Sequence, residues 1–508
     1  MKSRLLACGR SGRHLVFAGR YVCFVGALVA ASLGTSRASA ANPVEKPNLV
    51  LILADDLGYG DVGCYNAASK IPTPHIDRLA QQGTRFTDAH AAASVCVPTR
   101  YSLLTGRYAH RRPNRTGRFD GGPLIDEDVL TLPAMLRQAG YHTAMVGKWH
   151  LGFGFDDWDE PLRDGPVDRG FDSFFGVPAS TDIPPYFFVE GDRAVAPPTD
   201  EIAEHHSDGV RPIQGTFWRA GGISPKLGLE DVLPTFADTA LAKLDERAKS
   251  PDEPFFVYLA LTAPHTPWLP SAAYHGRSKL AGPDVPEALR HYGDFVVQVD
   301  DIVGQVIAKL DEHGIADKTL VIFSSDNGPT WFPEDVERTG HDSAGPWRGM
   351  KGDVWEAGHR VPLVVRWPGR VPDGRTCDEL VGQVDLMATT ASLVGFDLPG
   401  EAAVDSLNLL PLLLGETGAT GRATLITESS GGVLALRQGP WKFIPQLGSA
   451  GFSQPKREKP RPNEPDVQLY HLGDDPGETT NLAGDRPKLV ADLSAVLERA
   501  KSTAPRSP

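Results

Sequence analysis

NLVLILADDLGYGDVG, residues 48–63, holds the reading that decides the fold. After Asn48, six apolar positions run from 49 to 54, β-branched residues among them, without the polar alternation of a half-exposed strand, and 48–54 is read as a parallel strand buried on both faces. The run stops at Asp55-Asp56 and a glycine-rich turn. Two carboxylates at the carboxyl end of such a strand lie where open α/β sheets bind ligands. The alternative is that they only start a turn.

Working outward, TLVIFSS (319–325) repeats the pattern and also ends in polar residues, Asp326-Asn327-Gly328. FFVYLAL (255–261) and YHTAMVG (141–147) read as two more strands. Helix signals lie between them: Thr73-Pro74 before HIDRLAQQ, Thr131 before a helix to 139, and a long helix over 286–313 with a break at Gly293. This alternation predicts a large, mostly parallel sheet with helices on both faces. Residues 178–235 are rich in Pro and Gly and read as a loop-rich insertion. GETGATG (415–421) reads as a linker. Beyond it, ATLITES, GVLALRQ and WKFIPQ suggest short antiparallel strands, and a last helix covers about 488–499. The organisation expected is a main domain over 41–418 and a small C-terminal α+β domain over 419–508.

Residues 1–40 differ from the rest. Six Lys/Arg without an Asp or Glu, the apolar run YVCFVGALVAASLG and Ala38-Ser39-Ala40 describe an export signal cleaved after Ala40. The alternative, an uncleaved anchor, needs an apolar run of about 20 residues. Secreted or periplasmic placement follows, with no membrane attachment after cleavage. Losing six cations takes the formal charge from −13 to −19. That argues against nucleic acid or anionic lipid as partners, which require a basic footprint. An anionic substrate would need a local positive site. Cleavage also removes Cys8 and Cys23, leaving Cys64, Cys96 and Cys377, an odd number that forbids complete pairing.

The two strand-end clusters, Asp55-Asp56 and Asp326-Asn327, together form an all-oxygen donor set suited to Ca2+ or Mg2+. In SVCVPTRYSLLTG (94–106), Pro98 is placed to open a helix, with Cys96 at or just before its N-terminus. Arg100 and the helix dipole would acidify a thiol there. Buried structural roles suit Cys64 and Cys377 better than Cys96.

Cys96-x-Pro98-x-Arg100 followed by Thr105-Gly106 resembles the signature of the type I sulfatases of the alkaline-phosphatase superfamily. Further blocks are similar to that family in order: GYHTAMVGKWH (140–150), APHTP (263–267), SDNG (325–328), RGMKG (348–352) and LYHLGDDPGETTNLA (469–483). The resemblance implies that a maturation enzyme oxidises Cys96 to formylglycine (3-oxoalanine), whose hydrated aldehyde is the nucleophile. It implies a Ca2+ site formed by Asp55, Asp56, Asp326, Asn327 and residue 96. It further implies that Arg100 holds the diol and that Lys148 and Lys351 bind sulfate oxygens. His265 would protonate the leaving alcohol, and His150 would take a proton so that the aldehyde reforms and sulfate departs. Thr99 departs from the serine most members carry, which bears on maturation efficiency. Surface lysine is the ordinary alternative for Lys148 and Lys351. His90, His205, His206 and His341 have only their location to recommend them, with His341 read as a surface residue. Trp331, Trp347 and Trp355 are either ring-stacking or core residues.

The expectation is a secreted calcium-dependent sulfatase acting on a sulfated small molecule or glycan. Two alternatives stand beside it: a phosphonate monoester or phosphodiester hydrolase of the same superfamily, and a non-catalytic carbohydrate-binding relative.

Overall fold

The strand at 48–55 lies in the middle of the main sheet. In a computed structural model describing residues 46–112 and 119–502, Asn48–Asp55 pairs in parallel with Phe255–Pro264 on one side and Thr319–Ser325 on the other. Phe255–Pro264 pairs in turn with His142–Lys148, and that strand with Ser173–Val177, again in parallel. Antiparallel strands flank this parallel centre. Leu363–Arg366 pairs with Thr319–Ser325 on one side, and Val189–Glu190 pairs with Ser173–Val177 on the other. Ten strands make up the sheet among the described residues.

The two faces sort the residues of the central strand. Leu49, Leu51 and Leu53 pack on one side with Leu103, Leu104, Leu136 and Met387 from helices Cys96–Thr105, Leu132–Gln138 and Leu386–Val394. Val50, Ile52 and Ala54 pack on the other with Ile76, Leu233 and Val296 from helices Pro74–Gln81, Val232–Arg247 and Glu287–Glu312. Because both faces are covered, the strand is apolar at every position from 49 to 54.

Several expectations change in detail. Glu287–Glu312 runs through Gly293 without a break. A Cβ there would sit 2.7 Å from side-chain atoms of Ser278 and Leu280, so that glycine serves close packing. The helix after Val95 begins at Cys96 rather than Pro98, all ten of its residues are buried, and it ends at Gly106 in the left-handed conformation (φ 64°). The region 178–235 also carries regular structure, including the pair Asp200–Ile202 with Gly221–Ile223. The expected export signal lies outside the described residues. No described helix is long and apolar enough to cross a membrane.

Near the C-terminus, Thr424–Glu428, Leu434–Gln438, Trp441–Ile444 and Gln468–His471 form an antiparallel sheet covered by helix Pro487–Ser502. The fourth of these strands overlaps the start of the LYHLGDDPGETTNLA block and was not anticipated as a strand.

Candidate active site

Four adjacent parallel strands deliver the candidate residues to one edge of the sheet. In spatial order, Thr319–Ser325 leads into Asp326-Asn327, Asn48–Asp55 into Asp56, Phe255–Pro264 into His265, and His142–Lys148 into His150. Residues more than 250 positions apart therefore meet at the carboxyl ends of neighbouring strands. Asp56 (φ 65°) and His150 (φ 58°) both adopt left-handed backbone, uncommon for such residues and concentrated at functional sites.

The cluster is buried and charge-balanced. Lys148 donates from Nζ to Asp55 Oδ2 at 2.6 Å and to Ser180 Oγ at 2.9 Å. Lys351 Nζ lies 2.8 Å from both carboxylate oxygens of Asp56. Arg100 donates to Asp326 Oδ2 from Nε at 3.0 Å and Nη2 at 2.7 Å, and to the Lys148 carbonyl from Nη1 at 3.1 Å. Asn327 Nδ2 donates to Asp56 Oδ1 at 2.7 Å. Three carboxylates thus face three cations, and all six side chains lie at most 9 % exposed. Two buried oxygens, Asp55 Oδ1 and Asn327 Oδ1, have no hydrogen-bond partner. Orphaned buried acceptors are costly and call for a ligand. With the carboxylates of Asp56 and Asp326 beside them, they fit a hard divalent cation.

The Cys96 sulfur lies 3.3 Å from His150 Nδ1. Burial pushes the thiol pKa up, and Lys148 and Lys351 offset this only in part. The acidified thiol expected from the helix dipole is therefore not found, because desolvation dominates. Burial, followed by Lys148 and Arg100, holds the His150 pKa well below the usual imidazole range, so this ring stays neutral. Burial is the largest influence and raises the pKa of Asp55 and Asp56, but Lys148, His265 and Arg100 together at Asp55, and Lys351 with His265 at Asp56, outweigh it and hold both low. For Asp326 burial and the neighbouring Asp55 prevail, and its pKa rises. His265 Nδ1 pairs with the Thr266 carbonyl at 2.6 Å, which leaves Nε2 3.3 Å from Ser180 Oγ and 3.7 Å from Asp56 Oδ2.

Ser180 and Thr330 were missed by the sequence reading. Ser180 lies just beyond strand Ser173–Val177 and bridges Lys148 and His265, while Thr330 donates to Asp56 Oδ2 at 3.3 Å. Position after a strand end is the signal that would have found Ser180. The remaining candidates fall elsewhere. His341 is buried, not a surface residue, with Nε2 2.9 Å from Asp61 Oδ1. His90 is buried in a second charge cluster, whereas His205 and His206 are exposed. Trp331 and Trp355 are buried, and Trp347 lies under Arg360. Cys64, Cys96 and Cys377 are all free thiols.

The family model Sulfatase matches residues 47–396. The chain is 35 % identical to the N-acetylgalactosamine-6-O-sulfatase of Bacteroides thetaiotaomicron, over 90 % of this chain and 94 % of that protein. It is 36 % identical to human arylsulfatase A, over 86 % and 83 % respectively. A solved structure described under the metabolism of multiple glycosaminoglycans by B. thetaiotaomicron superposes with a TM-score of 0.79 at 34 % identity, covering 90 % of this chain and all of that one. The phosphonate monoester hydrolase of Agrobacterium radiobacter shares the fold at a TM-score of 0.59 and 20 % identity. With its edge cluster of carboxylates, lysines and histidines around Cys96, this chain belongs to the sulfatase family of the alkaline-phosphatase superfamily and is a sulfuric ester hydrolase.

Proposed function

We propose that the protein hydrolyses sulfate monoesters of carbohydrates, with 6-sulfated N-acetylgalactosamine as the first substrate to test, after export and after oxidation of Cys96 to formylglycine. The observation that carries this reading is the convergence of Lys148, Lys351, His150 and His265 on Asp55, Asp56 and Cys96. The substrate class is supported by the name of the Bacteroides relative and its share of this chain.

Ca2+, or Mg2+ in its place, would be held by Asp55, Asp56, Asp326, Asn327 and residue 96. When bound, it supplies a Lewis acid that lowers the pKa of a bound hydroxyl and offsets sulfate charge. Formylglycine supplies a geminal diol, giving one hydroxyl for attack and a second for release of sulfate.

The chain's own residues orient the ester and move protons. Lys148, held by Asp55, and Lys351, held by Asp56, donate to sulfate oxygens inside a buried site where water does not screen them. The sulfate ester arrives with one negative charge; after cleavage, a dication and the sulfate dianion together leave the balance of three carboxylates and three cations unchanged. Arg100, fixed by Asp326 and the Lys148 carbonyl, would hold the diol of residue 96 in place. His150 is neutral, and its Nδ1 faces residue 96, so it accepts a proton there. His265, whose Nε2 lies 3.7 Å from Asp56 Oδ2, gives a proton from Nε2 to the departing alcohol.

Two measurements test this. The mass of the peptide containing Cys96, from protein made beside a competent maturation enzyme, is expected to show formylglycine. Sulfate release from 6-sulfated N-acetylgalactosamine is expected to exceed turnover of phosphonate monoesters and phosphodiesters. An unmodified cysteine in an active enzyme, or preference for the phosphorus esters, would overturn the reading.

A further inference from the structure

The C-terminal block LYHLGDDPGETTNLA carries no group that reaches the sulfate pocket, yet its Glu478 is fully buried. It lies beneath the segment that bears Lys351. Two left-handed glycines, Gly349 (φ 90°) and Gly352 (φ 86°), flank Lys351 and place it on a tight turn. That turn is fastened mainly by residues after 428. Arg348 Nη1 donates to the Glu478 carbonyl at 2.6 Å and to Tyr470 Oη at 3.3 Å. The amides of Phe452 and Ser453 donate to Asp353 Oδ1, and the Val354 amide to the Ser449 carbonyl. Trp355 Nε1 donates to Gln468 Oε1 at 3.0 Å.

The deepest fastening is ionic. The Glu356 amide donates to Glu478 Oε2 at 2.7 Å. Lys442 Nζ sits 3.1 Å from Glu356 Oε1 and 3.1 Å from Glu478 Oε1, as ion pairs rather than aligned hydrogen bonds. Arg360 and Arg437 take the other oxygen of Glu356. His90, Glu356 and His359 are close enough together to suggest a metal site, but the Lys442 ammonium lies 3.2 Å from His359 Nε2 and fills that role. Glu356, Lys442 and Glu478 are all fully buried, so removing one leaves an uncompensated charge five residues from Lys351.

We propose that Glu478, acting through Lys442 and the Glu356 amide, is a positioning residue for Lys351, so that the C-terminal sheet sets the affinity of the sulfate pocket. Glu478 touches neither sulfate nor metal donors; it acts by fixing the turn from which Lys351 reaches Asp56. This rests on the reading of Lys351 as a sulfate ligand.

A double-mutant cycle read by calorimetric titration with inorganic sulfate, which needs no turnover, tests the idea. Glu478→Ala is expected to weaken sulfate binding about tenfold when Lys351 is present and to have no further effect in a Lys351→Met background. Glu478→Gln, which keeps an acceptor for the Glu356 amide, should recover most of the loss. If Glu478→Ala does not fold, Glu478→Asp is run through the same cycle, since its shorter side chain withdraws the carboxylate from that amide. Equal losses in both backgrounds would overturn the proposal, because a merely structural role adds to the loss of Lys351 instead of acting through it. Failure of the wild type to release sulfate from any ester, with a non-additive cycle intact, would overturn the proposed substrate and leave the clamp standing.

Discussion

Two of the buried charge clusters among the described residues solve opposite problems. At the carboxyl edge of the large sheet, Asp55, Asp56 and Asp326 face Arg100, Lys148 and Lys351, with the oxygens of Asp55 and Asn327 left over. Between the two sheets, Asp88, Glu356 and Glu478 face Arg360, Arg437 and Lys442. The second cluster uses arginines that bridge several carboxylates; Arg360 alone engages Asp88, Glu356 and the Thr87 carbonyl. The first relies on lysines, point charges that exchange one anion for another more readily than a guanidinium fork does. Similar charge counts thus yield a receptive pocket in one place and a fastening in the other. The difference lies in which oxygens remain free and how the cations are shaped.

The sharpest way to separate the clusters is to remove the proposed nucleophile. Cys96→Ala should lower sulfate release by about a thousandfold or more while leaving the thermal midpoint nearly unchanged, as read by a sulfate assay beside calorimetry. A comparable activity without Cys96 would end the proposed chemistry. Next in size is Asp88→Asn, which strips Arg360, Arg437 and His90 of a shared carboxylate. Denaturant unfolding should show a loss of about 3 kcal/mol, with binding of Ca2+ to the folded protein retained. A large loss of metal affinity instead would mean that the two clusters are not separate.

Ser180→Ala removes the hydroxyl shared by Lys148 and His265. A fall in kcat of about tenfold with little change in the thermal midpoint is expected, in keeping with one hydrogen bond to a charged group. The smallest effect concerns pH. Burial, followed by Glu356, pushes the Glu478 pKa up to about 7 against the pull of Lys442. A carboxyl raised in the folded state contributes stability below its unfolded pKa of about 4.3 and loses it as pH rises through the folded value. Glu478→Gln removes that dependence, so the thermal midpoint of the variant should gain on the wild type between pH 5 and 8. A constant difference across that range would show that Glu478 is charged throughout.

Much of the candidate site's edge was legible in the chain because it obeys local rules. A strand buried on both faces must be apolar throughout, and the first polar residues after it mark the sheet edge, as at Asp55 and Asp326. Ser180 follows a strand end and could have been found by that signal, whereas Thr330 was not legible, since it lies in an irregular loop whose path depends on what it packs against. The acidified thiol expected of Cys96 failed for a related reason: a helix N-terminus is a local feature, but desolvation depends on everything around it. His341 looked like a surface residue because nothing near it in sequence shows that Asp61 lies opposite.

By itself the sequence determined the layered α/β architecture, the strand ends that carry the donors and the family to which the chain belongs. All of these follow from periodicity and from short ordered motifs. Only the tertiary structure decided which donors meet, which oxygens stay unpaired, and that Glu478 lies beneath the turn of Lys351. Such contacts join residues more than a hundred positions apart, and their strength depends on burial that no local stretch of chain encodes.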